Sequence, residues 1–270
     1  MERPAWAPRS IDISVPSVSR IYDYYLGGSH NFEVDREAAR KAMGFMPGLP
    51  KIMQANRAFM RRAVRFATGE GITQFLDIGS GIPTFGNVHE IAQESRPGAR
   101  VVYVDNDPVA VAHSQAVLEG NENADVLAAD LLKPREILAS SQVQRLIDLN
   151  RPVALLLVAI LHFVEDADDP YGAVAELRDA LAPGSLLVVT HASYEGIPLP
   201  KEQAEGTVDV YKNIRNPLIM RSREDVARFF EGYDMVEPGL VPMPKWRPDT
   251  APEDEDPFSF SGFAGVGRTA

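Results

Sequence analysis

The run Phe75-Leu76-Asp77-Ile78-Gly79-Ser80-Gly81-Ile82-Pro83-Thr84 carries the clearest chemical signal in the chain. An apolar stretch runs into an acid and then into two glycines spaced Gly-x-Gly. Glycine accepts the left-handed backbone of a tight turn and lets a ligand come close to the main chain. Asp77, Gly79, Ser80 and Gly81 are therefore candidates for holding a nucleotide. Two more acids stand at comparable points. Asp105, with Asn106, follows an apolar run over 100–104, where a carboxylate can accept hydrogen bonds from ribose hydroxyls. Asp130, with Leu131, follows a third run over 124–128, where a carboxylate can face an adenine amino group. Any one of these acids could merely cap a following helix. Three of them behind a Gly-x-Gly turn favour a nucleotide.

Such residues converge only if strands deliver them to one edge. Short, apolar and often β-branched runs at 72–78, 100–104, 124–128, 153–158 and 185–190 predict strands. Helical spacing between them predicts helices over 87–95, 108–118, 134–149 and 170–181. Strands alternating with helices, each strand apolar on both faces, predict a parallel sheet covered on both sides. Ligands bind such sheets outside the carboxyl ends of the strands. Near the end, Ser222 to Asp225 predicts a capped helix over 226–230. Two β-like segments, 235–241 and 258–266, flank an acidic, proline-rich loop over 242–257 and predict an antiparallel edge. Residues 18–26, 35–43 and 52–66 have helical spacing but precede the alternation. The expected division is a helical extension or lid over 1–70 and a Rossmann-like domain over 71–270.

The turn also discriminates between ligands. A dinucleotide site wants a third small residue in Gly-x-Gly-x-x-Gly, with the helix dipole aimed at a pyrophosphate. Thr84 occupies that place, and Ile82-Pro83 interrupts the turn. S-adenosylmethionine has no phosphate, and an acid before the first glycine suits its sulfonium and ammonium charges. These features favour the methyl donor over NAD.

Longer segments sharpen the expectation. Residues 17–32 (SVSRIYDYYLGGSHNF) with Asp35-Arg36, 55–64 (ANRAFMRRAV), 87–90 (NVHE), 103–108 (YVDNDP), 155–163 (LLLVAILHF) and 221–225 (RSRED) resemble a bacterial S-adenosyl methyltransferase family once classed as a domain of unknown function. The resemblance spans nearly the whole chain. It implies the seven-stranded, mostly parallel sheet of class I methyltransferases, with an N-terminal helical extension, and methyl-donor binding. It implies no particular acceptor.

Methyl transfer from a sulfonium asks the protein to align the acceptor, exclude water and, where needed, help remove a proton. His162 follows the fourth strand beside the expected methyl position. His30 and Tyr22 lie in the N-terminal segment, with Tyr25 and Asn31 nearby, and an aromatic ring there can attract a sulfonium. These three are the catalytic candidates. His191 ends the fifth strand, and Arg57 could bind the donor's carboxylate. No metal-ligand spacing is present, so no metal is expected.

Bulk composition narrows the class. The 270 residues suffice for one α/β domain with an extension, and 45% hydrophobic content supports a sizeable core. A net charge of −11 disfavours nucleic acid or an anionic membrane as the partner. Cysteine is absent, which removes disulfides and thiolate chemistry. Residues 1–16 lack the apolar core of a signal peptide, and no apolar run reaches spanning length. The expectation is a cytoplasmic, monomeric or homodimeric methyltransferase acting on a small molecule. The alternatives are an NAD(P)-dependent oxidoreductase and a non-catalytic protein that binds the methyl donor or its product as a regulator.

Overall fold

A computed structural model describes residues 12–84, 86–195, 201–212, 214, 217–249 and 261–270, with the backbone alone at 201–204. Three helices come first: α1 (Val18–Tyr25), α2 (Glu33–Phe45) and α3 (Leu49–Gly69). The alternation then runs β1 (Gln74–Ile78), α4 (Val88–Ser95), β2 (Arg100–Asp105), α5 (Pro108–Val117) and β3 (Ala124–Ala128). It continues through α6 (Pro134–Leu138), α7 (Ser141–Leu146), β4 (Ala154–Val158), α8 (Pro170–Asp179) and β5 (Leu186–His191). The last part holds α9 (Lys201–Tyr211), α10 (Arg223–Arg228), β6 (Tyr233–Met235), β7 (Val241–Pro242) and β8 (Phe263–Thr269).

The sheet path is β3-β2-β1-β4-β5-β8-β6, with the two-residue β7 paired to β8. Its first five strands are parallel, and β8 runs antiparallel to β5 and β6. Seven strands on the path and an antiparallel edge match the expectation. The two-residue β7 adds an eighth strand.

Alternating side chains serve opposite faces, as a pleated strand requires. Phe75, Val101, Leu156 and Val188 join one core with helices α1 to α4, while Leu76, Val102, Leu155 and Leu187 join the other with α7, α8 and α10. Helix α3 therefore belongs to the layer covering the sheet. Phe59, Met60, Ala63, Val64 and Ala67 of α3 are buried against it.

Three predicted elements change shape. The helix over 134–149 splits because Ser140 caps a new start, its Oγ accepting from Val143 N–H (3.3 Å). The strand over 235–241 becomes β6 and β7, since Pro238-Gly239 turns the chain between them and Gly239 adopts φ +84°. The final strand begins at Phe263, and its predicted residues 258–260, like 250–257 of the loop before it, lie outside the described residues. Helix α9 was not expected. Among the described residues no helix is long and apolar enough to cross a membrane.

Candidate active site

The chain leaves β1 toward one face of the sheet and β4 toward the other. These strands are neighbours, so their carboxyl ends part and a crevice opens at the point where strand order reverses. The crevice encloses about 880 Å³. Asp77, Gly79 and Ser80 enter it from the end of β1, Asp105 and Asn106 from β2, and Asp130 and Leu131 from the segment after β3. Ala159 and Ile160 close it beyond β4, while α1 and α3 contribute Tyr22, Asn56 and Arg57.

The turn needs its glycines for two separate reasons. Gly79 and Gly81 sit at φ +76° and +68°, and a Cβ on Gly79 would approach the Ile160 side chain to 2.6 Å. Gly79 and Ser80 N–H donate to Val104 O (2.8 and 3.2 Å), tying the turn to β2. Gly81 N–H donates to Asp105 Oδ2 (2.7 Å), and Asp107 N–H to Asp105 Oδ1 (2.8 Å). Gly81 therefore orients Asp105 and faces a small adjoining pocket instead of the main crevice.

Burial governs the charges here. It pushes Asp105 up to about 6, against the pull of the backbone amides at Asp107 and Gly81. It pushes Asp77 up to about 7; Arg57 draws that value down and Asp105 raises it. The Asp77 carboxylate makes no hydrogen bond among the described residues, and the buried Ser80 Oγ has no partner. Polar groups buried like this are normally satisfied. A ligand with hydroxyl and amino groups, such as S-adenosylmethionine, fits them.

A second cavity of about 720 Å³ adjoins the crevice. Val18, Tyr22, Asn56, Ala159 and Phe163 line both. Their common wall is held by a chain of hydrogen bonds. Ala159, at φ +59°, donates its N–H to Thr190 Oγ1 (2.8 Å), which donates to Asn56 Oδ1 (2.6 Å). Asn56 Nδ2 then donates to Tyr22 Oη (2.8 Å). Three elements and the turn beyond β4 thus meet at one polar seam.

His162 lines the second cavity from the turn Leu161–Phe163. Ala192 N–H donates to its Nδ1 (3.3 Å), which leaves the proton of the neutral ring on Nε2. Burial first, then His191 and Arg221, hold His162 well below the usual histidine range. His191 is fully engaged, giving its Nδ1 proton to Ala192 O (2.7 Å) and accepting at Nε2 from Arg221 (2.9 Å). The buried Arg221 also donates to Leu161 O (2.9 Å), Val164 O (2.8 Å) and Asp166 Oδ1 (2.6 Å). It clamps the turn that carries His162.

Of the residues expected from sequence, Asp77, Gly79, Ser80, Asp105, Asn106, Asp130, Leu131, Arg57 and Tyr22 line the crevice. Arg57 also donates weakly to Gly86 O (3.3 Å) and Asn87 Oδ1 (3.4 Å). Asp130 keeps a local role as well, accepting from Leu132 N–H (3.0 Å). His30 lines neither cavity. Its ring lies 3.9 Å from that of His113 on α5, and its N–H donates to Asp23 Oδ2 (2.9 Å). Asp23 also accepts from Asn31 Nδ2 (2.8 Å), so the Gly27-Gly28-Ser29-His30-Asn31 loop is folded around a carboxylate. Asn56, Thr190 and Arg221 were missed as functional residues. Asn56 stood beside Arg57 and Thr190 at a predicted strand end, and Arg221 opens the RSRED segment of the family resemblance.

Strand order, switch-point crevice and acidic strand ends define a Rossmann-like α/β protein with a nucleoside site. Residues 4–270 match the model of the S-adenosyl methyltransferase family, and the chain belongs to that family of S-adenosylmethionine-dependent methyltransferases. It is similar to a DUF574-family protein from Streptomyces avermitilis at 39% identity, TM-score 0.91, over 96% of this chain and 99% of that one. It is also similar to a candidate methyltransferase from Thermobifida fusca at 41% identity, TM-score 0.91, over 98% and 99%. A likeness of fold alone extends to the pyocyanin biosynthetic protein PhzM, at 17% identity and TM-score 0.50, over 87% of this chain and 61% of that one. No curated protein sequence matches the chain.

Proposed function

We propose that the chain moves a methyl group from the crevice to a small molecule in the second cavity, across the seam formed by Tyr22, Asn56 and Ala159. The shared wall carries this reading. Displacement at a methyl carbon needs donor and acceptor on opposite sides of one short path, held in line and away from water. When bound, S-adenosylmethionine would supply a methyl group activated on a sulfonium: an acceptor lone pair would bond to the methyl carbon as the carbon–sulfur bond breaks and its electrons return to sulfur, and any proton on the attacked atom would pass to solvent.

The protein's own residues then position and shield. Asp105 and Asn106 suit ribose hydroxyls, Asp130 and Leu131 the adenine edge, and Asp77 and Arg57 the amino and carboxylate ends of the donor. Tyr22 and Val18 bring α1 over both cavities, and Asn56 brings α3 to both. His162 offers the acceptor a hydrogen-bond donor, Nε2–H, and does not act as a base. To take a proton at Nε2 the ring would need its other proton on Nδ1, directed at the Ala192 N–H. The net charge of −11 and the absence of cysteine support a cytoplasmic enzyme of small molecules, monomeric or homodimeric.

Two variants and one calorimeter test the reading. S-adenosylhomocysteine is expected to bind wild type and Tyr22→Phe alike, and NAD to bind neither. The product's tight binding to wild type and weak binding to Asp105→Ala would place it in the crevice. Binding of NAD in preference to S-adenosylhomocysteine would return the site to the oxidoreductase alternative.

A further inference from the structure

The second cavity also limits what can occupy it, and this inference rests on reading that cavity as the acceptor site. Its walls are soft and apolar. Met46, Met53, Met220 and Met243 surround it together with the rings of Tyr25, Phe163 and Tyr211. Methionine adapts its shape to flat or irregular ligands.

No Asp, Glu, Lys or Arg lines it among the described residues. Its two histidines are neutral at physiological pH: burial holds His162 well below the usual range and His191 at about 4. The one cation beneath the floor, Arg221, spends its guanidinium on Leu161 O, Val164 O, Asp166 and His191. A carboxylate, phosphate or ammonium entering this space would lose its hydration and meet no opposite charge among the described residues.

Neutral polar groups are treated differently. Thr207 Oγ1, on α9, and Ser261 Oγ, just before β8, line the cavity, are 0% and 4% exposed, and have no hydrogen-bond partner among the described residues. Buried hydroxyls without partners are uncommon in native proteins. Two of them, from distant parts of the chain and meeting on one apolar cavity, are poised for the polar atoms of a ligand. His162 Nε2–H adds a third donor from another wall.

We propose that the acceptor is an uncharged, predominantly apolar ring compound bearing hydroxyl or carbonyl oxygens, and that Thr207 and Ser261 select it by hydrogen bonding those oxygens. Neither residue is asked to take part in methyl transfer.

The test is a fluorescence titration of the full chain, saturated with S-adenosylhomocysteine, at pH 7.5. The probes are 2-naphthol, naphthalene, 2-naphthoate and 2-naphthylmethylammonium. 2-Naphthol is expected to bind about tenfold or more tightly than either ion, which would carry an uncompensated charge. It should also bind more tightly than naphthalene. In Thr207→Val/Ser261→Ala the advantage of 2-naphthol over naphthalene should fall severalfold, to what His162 alone supplies, while naphthalene and S-adenosylhomocysteine affinities stay unchanged. Each single variant should melt no lower than wild type, because the hydroxyl it loses has no partner in the free protein. The proposal is overturned if either ion binds as tightly as 2-naphthol, if 2-naphthol fails to bind at millimolar concentration, or if the double variant keeps the preference undiminished. Saturation with S-adenosylhomocysteine is checked first by calorimetry: without it the donor reading and this proposal fall together, and with it only the proposal is at risk.

Discussion

Replacing Asp77 by Asn should separate what the fold wants from what the site wants. The carboxylate is 8% exposed, makes no hydrogen bond among the described residues, and is pushed by burial from 3.8 up to about 7. The folded protein therefore holds this proton more tightly than the unfolded chain. The resulting stabilisation is complete below about pH 4, is lost progressively as pH rises toward 7, and is absent above it. A rise of this size corresponds to on the order of 4 kcal/mol, at about 1.36 kcal/mol per pH unit. Asparagine cannot ionise. The difference in melting temperature between Asp77→Asn and wild type should therefore be small at pH 4.5, widen through pH 7 in favour of the variant, and level off. Donor binding should move the other way. An ionised Asp77 favours the cationic donor, so wild-type affinity for S-adenosylmethionine should climb with pH to a plateau just above 7. The variant should lose that dependence and about 1.5–3 kcal/mol of binding, the worth of a hydrogen bond to a charged group. Melts from pH 4.5 to 8.5, with calorimetry at the same points, read both effects. A variant less stable than wild type at pH 8, with the pH dependence of affinity intact, would refute the assignment of Asp77 to the donor's charged end.

Three further substitutions probe other parts of the site. Asp105→Ala should weaken donor binding by about 1–3 kcal/mol in calorimetry, since it removes a charged acceptor for the ribose; unchanged affinity in a folded variant would take Asp105 out of the site. Gly79→Ala places a Cβ at φ +76° within 2.6 Å of Ile160. It should cost about 1–3 kcal/mol of stability in denaturant melts as well as donor affinity, and a neutral result would mean that the turn can relax away from β4. Arg221→Lys cannot reproduce a fork that meets four acceptors. It should lower stability by about 3 kcal/mol and weaken binding of 2-naphthol more than binding of S-adenosylhomocysteine, whereas equal losses in the two would point to a purely structural clamp.

The acids that line the crevice were legible because each lies at or just beyond the end of an apolar strand. A doubly wound sheet brings such ends together whatever the details of packing, so Asp77, Asp105 and Asp130 could be placed from sequence alone. The second cavity was not. Its walls are drawn from α1, α3, the ends of β4 and β5, α9, and single residues near 218, 243 and 261, with no shared local pattern. Helix α9 escaped notice for a related reason. Its sequence KEQAEGTVDVY holds a central glycine and β-branched residues, poor helix formers in isolation. Gly206 is needed because a Cβ there would strike the Phe45 ring of α2, a reason found only in the packing. His30 lies apart from both cavities. A histidine beside paired glycines and tyrosines resembles a site, yet the motif is organised by Asp23 and by the buried Arg20–Asp35 ion pair (2.9 Å), which also receives the Ser17 and Phe32 amides. The break at Ser140 and the turn at Pro238-Gly239 were readable in principle, since both use ordinary capping and turn residues.

A crystal structure of the full chain with S-adenosylhomocysteine tests the central claim most directly. The account predicts the ribose on Asp105, the amino-acid end between Asp77 and Arg57, and the sulfur at the seam of Tyr22, Asn56 and Ala159, facing the second cavity. Product bound with its sulfur turned away from that seam, or held outside the crevice, would contradict it.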